Sequence, residues 1–318
     1  MLLGFQLSQA LYVVAELDVP TLLVSGPRTV EDLAAATGAD TDKLRRIIRY
    51  LEMVGVFQVE DDTVQITELG ATLADGTPGS VRSSARYFMG THYGPYSDLL
   101  HTVRTGAPAA DHFLGKPFFD WITEDPKRAE LQNAAMSSTD FREAALADYR
   151  LPGDGTVADI GGADGTNLLR LLGHQPGRNG IVFDLPAVVM QAQKKAAAAG
   201  LADRVSVVGG DFFNSVPTAD VYLMCSILHD WDDEKSIKIL RSIAKAAPPK
   251  ARLVLLEQVV PEGNTPHLSK VVDIIMMIFG GRERTASDWL KLLQAGGFTL
   301  DRFVQNATPF SFIEATLQ

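Results

Sequence analysis

The stretch Val157-Ala158-Asp159-Ile160-Gly161-Gly162-Ala163-Asp164-Gly165-Thr166 decides how this 318-residue chain is read. Four strand-like residues run into a glycine-rich turn, and a helical pattern over 166–173 follows. Glycines here let the main chain turn sharply and let a ligand come close to it. Downstream, apolar runs of strand length at 180–183, 205–208, 221–226 and 252–257 alternate with helical stretches near 187–199, 233–246 and 285–296. That βαβ series predicts an α/β unit, a parallel sheet with helices on both faces. Two closing runs, 298–304 and 310–315, are joined too briefly for a parallel crossover and predict a terminal antiparallel hairpin.

Upstream the pattern changes. Phe5, Leu7, Leu11, Val14, Ala15 and Leu17 keep helical spacing, which Pro20 is expected to stop. Thr29, with Asp32 at the capping-box position, opens a short helix that ends at Gly38. Asp40 or Thr41 caps a third helix, with Leu44, Ile47, Ile48, Leu51 and Met53 on its apolar side and Gly55 as its stop. Two β-prone quartets around Glu60-Asp61-Asp62-Thr63 predict a hairpin. Three helices and a hairpin make a winged-helix arrangement over roughly residues 5–70. Helical periodicity with many aromatics continues over 80–148, and Pro152-Gly153-Asp154-Gly155 marks a boundary. The expected division is a winged-helix-like domain at 1–85, a helical linker or lid at 86–150 and a catalytic α/β domain at 151–318.

Lys plus Arg number 29 against 39 Asp plus Glu, a net charge of −10, which disfavours generic binding to nucleic acid or anionic membrane. Residues 1–85 alone hold 6 Lys/Arg against 12 Asp/Glu, and acids form the tip of the wing. A DNA-binding regulator is therefore the weaker reading of the winged helix, despite Lys43, Arg45, Arg46 and Arg49 on its third helix. The single cysteine, Cys225, excludes an intramolecular disulfide and a Cys-rich metal site and fits a reducing cytoplasm. No apolar run is long enough to span a membrane, and the acidic N-terminus does not read as a signal peptide.

Candidate site residues gather at the predicted C-terminal edge of the sheet, where open α/β sheets bind ligands. Asp184, about 20 residues beyond the loop, can accept both hydroxyls of a ribose. The loop has no Gly-Lys-Ser/Thr and carries Asp164, which is expected to repel a pyrophosphate. A ligand with a ribose and no phosphate fits better, and S-adenosylmethionine is one. Asp211 and Phe212 can reach an adenine or ribose edge, although Asp211 alone reads equally as a turn aspartate. His229 lies just past an apolar strand and can act as a general base, or can simply pack against Trp231. Glu257 and Glu283 are carboxylates able to fix the tautomer of such an imidazole. No metal-ligand spacing is visible.

Five motifs resemble those of the S-adenosylmethionine-dependent small-molecule O-methyltransferases of plants and antibiotic-producing bacteria. They are the loop at 157–166, Phe-Asp-Leu-Pro (183–186), Gly-Asp-Phe-Phe (210–213), Leu-His-Asp-Trp-Asp-Asp-Glu (228–234) and Gly-Gly-Arg-Glu-Arg-Thr (280–285). The resemblance implies a class I methyltransferase Rossmann-like sheet preceded by a winged-helix dimerisation domain, and hence a homodimer. It implies Gly161, Gly162, Asp184, Leu185, Asp211, Phe212 and Ser226 at the cofactor, His229 as base, and Glu257 and Glu283 as its flanking acids. Met136, Ser137, Met276 and Phe279 fall where relatives meet an aromatic acceptor or the methyl donor, and read equally as core. Two departures stand out: Ala163 replaces a loop glycine, and Cys225 and Ser226 replace larger or basic side chains. The implied reaction needs no metal. An N-methyltransferase acting by proximity is the alternative within the same fold, and the missing second loop glycine argues against a nicotinamide dehydrogenase.

Overall fold

The computed structural model describes residues 2–138 and 142–318 and divides into two compact units, Met1–Asp140 and Phe141–Gln318. In the first unit, helix Gly4–Glu16 buries Ala10, Val14 and Ala15. Pro20 does not stop it. The chain turns at Asp18 (φ +59°), and Pro20 stands in the first turn of helix Val19–Leu23, where a missing N–H costs nothing. Thr29 Oγ1 accepts the Asp32 amide at 3.1 Å and Gly38 closes helix Val30–Thr37. Asp40, rather than Thr41, caps helix Thr41–Glu52, accepting the Lys43 amide at 2.9 Å. Leu44, Ile48 and Leu51 are buried as expected, but Met53 falls past the last turn and is 72% exposed.

Strands β1 (Arg28–Thr29), β2 (Phe57–Glu60) and β3 (Thr63–Ile66) pair antiparallel in the order β1-β3-β2. Two-residue β1 completes the winged helix and is too short to read from sequence. Asp61 and Asp62 both take positive φ, 45° and 65°, the conformation a two-residue hairpin turn requires. Asp62 and Glu31 together hold Arg45, and Asp42 holds Lys43, so half of the basic cluster is already neutralised. Short helices follow, with Ser84 Oγ donating to Ala135 O to join helices Arg82–Tyr87 and Pro126–Ser138. No helix among the described residues is long and apolar enough to cross a membrane.

The second unit is built on β4 (Val157–Ile160), β5 (Gly180–Asp184), β6 (Val205–Gly209), β7 (Val221–Cys225), β8 (Arg252–Val260), β9 (Arg284–Thr285), β10 (Phe298–Gln305) and β11 (Phe310–Leu317). The order is β10-β11-β8-β7-β4-β5-β6. The five strands from β8 to β6 run parallel, and β11 enters antiparallel between β8 and β10. Side chains alternate between two cores, as the period of two demands. Val157, Leu223 and Val254 face helix Thr166–Gly173, while Ala158, Tyr222 and Leu253 face helices Asp233–Ala246 and Ala286–Gly296.

Three expectations change. β8 does not end at Glu257 but runs on to Val260. β7 stops at Cys225, and Ser226 leaves it with φ +55°. A helix over Leu268–Phe279 stands where none was read, although Ser269, Lys270 and Asp273 fall on one side of it and gave a helical period.

Candidate active site

The loop after β4 is tied to β5. Gly161 and Gly162 both donate to Phe183 O, at 2.9 and 3.1 Å, and Gly161 takes φ +75°. Asp184 closes the arrangement: one carboxylate oxygen accepts the Ala163 amide at 2.9 Å and the other the Leu185 amide at 2.7 Å. Leu185 itself stays exposed. Ala163, at φ +47°, stands in the left-handed region, which explains why a glycine suits that position. The role expected of Asp164 needs correction. Its carboxylate accepts from Thr166 and pairs with Lys195, so its charge is largely spoken for within the loop. What still disfavours a polyanion is Asp184 at the rim and Asp159 below. Asp159 is 1% exposed, and its Oδ2 has no hydrogen-bond partner among the described residues. A ligand bearing hydroxyls and positive charge fits this set of carboxylates.

Asp211 closes its own turn, accepting from Phe213 N at 2.8 Å and Asn214 Nδ2 at 2.9 Å. Phe212 stacks edge-on in a cluster with Phe213 and Trp231. Ser226 is half-buried and donates its amide to Leu256 O. Met276 and Phe279 are half-buried on helix Leu268–Phe279. Met136 lies in the first unit, and the side chain of Ser137 lies outside the described residues.

His229 sits in a 3₁₀ turn, Leu228–Asp230, directly after β7. Its Nδ1 meets Glu283 Oε1 at 2.9 Å, and Glu257 Oε2 lies 4.0 Å from the same nitrogen. A carboxylate can only accept, so Nδ1 carries the hydrogen. The other nitrogen, Nε2, faces Asp230 Oδ1 at 3.4 Å. Burial alone lowers the pKa of His229, but Asp230, Glu257 and Glu283 override it and hold the imidazole up at about 10. Burial in turn pushes Glu257 up to about 7, against the pull of His229.

The backbone around the histidine is fixed from several sides. Glu257 Oε1 accepts the amides of Ile227 and Leu228, at 3.1 and 2.9 Å. Arg284, fully buried, donates to Leu228 O, Trp231 O and Ser236 Oγ and pairs with Asp233. The Arg282 amide donates to His229 O at 2.8 Å. Gly281 is the reason that contact forms: a Cβ there would stand 2.2 Å from His229 O. Glu283 arrives because β9 pairs in parallel with Val259 and Val260, two residues beyond Glu257 on β8, and Asp273 accepts its amide at 2.8 Å.

Sequence reasoning named His229, Glu257 and Glu283, and the fold brings them together. It missed Asp230, Asp273, Gly281 and Arg284 as their supports. Gly281 and Arg284 lie inside a quoted motif and so carried a signal; Asp273 lay in the unread helix. The metal reading also needs restating. Potential ligand atoms of His229, Glu257 and Glu283 lie within 4.8 Å of one another, a grouping that sequence spacing did not reveal. An ion there would first have to break the 2.9 Å hydrogen bond.

A glycine-rich loop and a histidine–carboxylate set at the C-terminal edge of the sheet fit a group-transfer enzyme of the α/β class, and comparison with known proteins makes this specific. An O-methyltransferase domain model matches residues 96–299, and an O-methyltransferase dimerisation domain model matches residues 1–76. The chain is 38% identical over 320 residues to a phenazine O-methyltransferase, PhzM, of Lysobacter antibioticus, covering 99% of this chain and 94% of that one. It is 37% identical to the mitomycin biosynthesis 6-O-methyltransferase of Streptomyces lavendulae, covering 96% of this chain and 90% of that one. The crystal structure of NcsB1, an O-methyltransferase from neocarzinostatin biosynthesis in complex with S-adenosylmethionine and 2-hydroxy-5-methyl naphthoic acid, superposes with a TM-score of 0.87 at 29% identity, covering 98% of this chain and 96% of that one. The chain belongs to the S-adenosylmethionine-dependent O-methyltransferases.

Proposed function

We propose that this protein methylates a phenolic hydroxyl of a flat aromatic secondary metabolite, with His229 as the general base. The observation that carries the reading is the Glu283–His229 hydrogen bond, which occupies Nδ1 and leaves Nε2 to take the acceptor's proton. The phenazine and naphthoic-acid enzymes among the relatives support the acceptor class. The dimerisation-domain match supports a homodimer, and the lone Cys225 suits a reducing cytoplasm.

S-adenosylmethionine, when bound, supplies a methyl group already activated on sulfonium. In this reading the main chain at Gly161 and Gly162, with Asp184, Leu185 and Ser226, holds the donor's ribose and methionine end. Asp211 and Phe212 hold the adenine. Met276 and Phe279 contribute to the acceptor site. His229, held near pKa 10, is matched to a phenol of about the same pKa, so the proton moves between groups of nearly equal affinity. At neutral pH the resting imidazole is protonated. Phenol beside this imidazolium carries one proton too many for attack, so the complex first loses a proton to solvent; what remains, phenol beside neutral imidazole or phenolate beside imidazolium, is the reactive state. Glu283 and Glu257 stabilise the imidazolium, and alignment in a dry pocket supplies the rest of the rate.

The test is incubation with the donor and a panel of hydroxyphenazines and hydroxynaphthoates, with products mapped by mass spectrometry and NMR. His229→Ala is expected to bind donor normally and to lose roughly 10²–10⁴-fold in turnover. An unchanged rate would overturn the base role, and methylation at nitrogen would overturn the acceptor assignment.

A further inference from the structure

Asp159 has no part in the chemistry above, yet it is a carboxyl group kept in the interior directly beneath the donor loop. It is 1% exposed, and its Oδ2 finds no hydrogen-bond partner among the described residues. The loop presses on it: a Cβ at Gly162 would stand 2.8 Å from both Asp159 Cγ and Oδ2. The groups acting on it come from each element around it. Asp184 at the end of β5 and Asp164 in the loop repel its charge, while Arg142 of helix Arg142–Leu146 and the Leu168 amide of helix Thr166–Gly173 favour it. Lys195 is committed to Asp164. Burial, reinforced by Asp184, raises Asp159 to about 7, so near neutral pH the free protein holds it partly protonated.

Donor and product differ in one respect that this arrangement can sense. The donor carries a carboxylate, an ammonium and a sulfonium, one net positive charge, whereas the product has lost the sulfonium charge and is neutral overall. The donor therefore brings one more positive charge to the loop than the product does, and a nearby positive charge favours the ionised form of a buried carboxyl group. We propose that Asp159 makes the loop discriminate between the sulfonium donor and its thioether product, by releasing a proton to solvent when the cationic ligand binds. Product release is then helped, because losing the sulfonium charge removes the reason for Asp159 to stay ionised. The inference rests on donor binding at this loop.

The test is isothermal titration calorimetry of the full-length protein with S-adenosylmethionine and with S-adenosylhomocysteine, at pH 7 in buffers of differing ionisation enthalpy. Donor binding is expected to release up to about half a proton, as befits a group titrating near that pH, and product binding distinctly less. Asp159→Asn should abolish the difference. Glu257→Gln, which removes the other carboxyl raised to about 7, should keep it. If Asp159→Asn does not fold, the native protein still decides: its preference for donor over product should grow several-fold between pH 6 and 8. Equal proton release by the two ligands, or a preference that is flat with pH, would overturn the proposal. Absence of binding by either ligand would instead overturn donor binding at this loop.

Discussion

Ala163 is the residue at which this chain departs from a glycine, and the cost is readable in its backbone. At φ +47° an L side chain is strained by roughly 1–2 kcal/mol, partly offset by the entropy a glycine would lose on folding. Ala163→Gly is expected to stabilise the protein by about 1 kcal/mol, seen as a higher urea midpoint at unchanged slope. At His229 the expectation is kinetic. Its advantage comes from matching a phenol of pKa near 10, so the penalty for His229→Ala should shrink steadily along a series of more acidic acceptors. A penalty independent of acceptor pKa would mean the imidazole merely positions substrate.

At the scale of elements, the catalytic set is assembled by pairing rather than by proximity in sequence. β9 is only two residues long, yet its register against Val259 and Val260 delivers Glu283 to the nitrogen of a histidine 54 positions earlier. Gly281→Ala would drive a methyl into His229 O and move the histidine turn, so turnover should fall at least tenfold while donor affinity, set at the β4–β5 loop, stays within twofold. Arg284→Met leaves Leu228 O, Trp231 O and Ser236 without their buried donor and should cost about 2–3 kcal/mol in urea denaturation. The sequence was most legible where function constrains local composition: the glycine loop, the histidine turn and the segment at 280–285. Short continuous apolar runs exposed the central strands, because burial on both faces of the sheet makes nearly every residue apolar. Helix Leu268–Phe279 was legible in principle, since Ser269, Lys270 and Asp273 share one side, but only three polar residues mark it. The Asp164–Lys195 pair joins residues 31 apart on different elements, and no one-dimensional pattern encodes that.

For the whole molecule, the groups with raised pKa set a direction for stability against pH. Asp159 and Glu257, ordinarily near 4, are held near 7, so each favours folding while protonated and loses that contribution as pH rises through about 4–7. His229, ordinarily 6.5 and here about 10, contributes stability fully below about 6.5 and loses it as pH rises through 10. All three act in the same sense, and a net charge of −10 adds repulsion as pH climbs. The ligand-free protein is therefore expected to melt at a higher temperature at pH 6 than at pH 9 by differential scanning calorimetry. The opposite order would show that these groups do not carry the burial described.

The position of β11 has a consequence for how the chain is made. It is the last strand in sequence and an interior strand in space, with β8 on one side and β10 on the other. A growing polypeptide thus completes its donor loop, its histidine turn and both flanking glutamates while the edge of β8 is still bare. Until residues 310–317 emerge, that edge is a template open to any other extended segment. The nascent enzyme carries nearly all of its chemistry before it has the strand that seals it, and its vulnerability to aggregation is concentrated in that interval of synthesis.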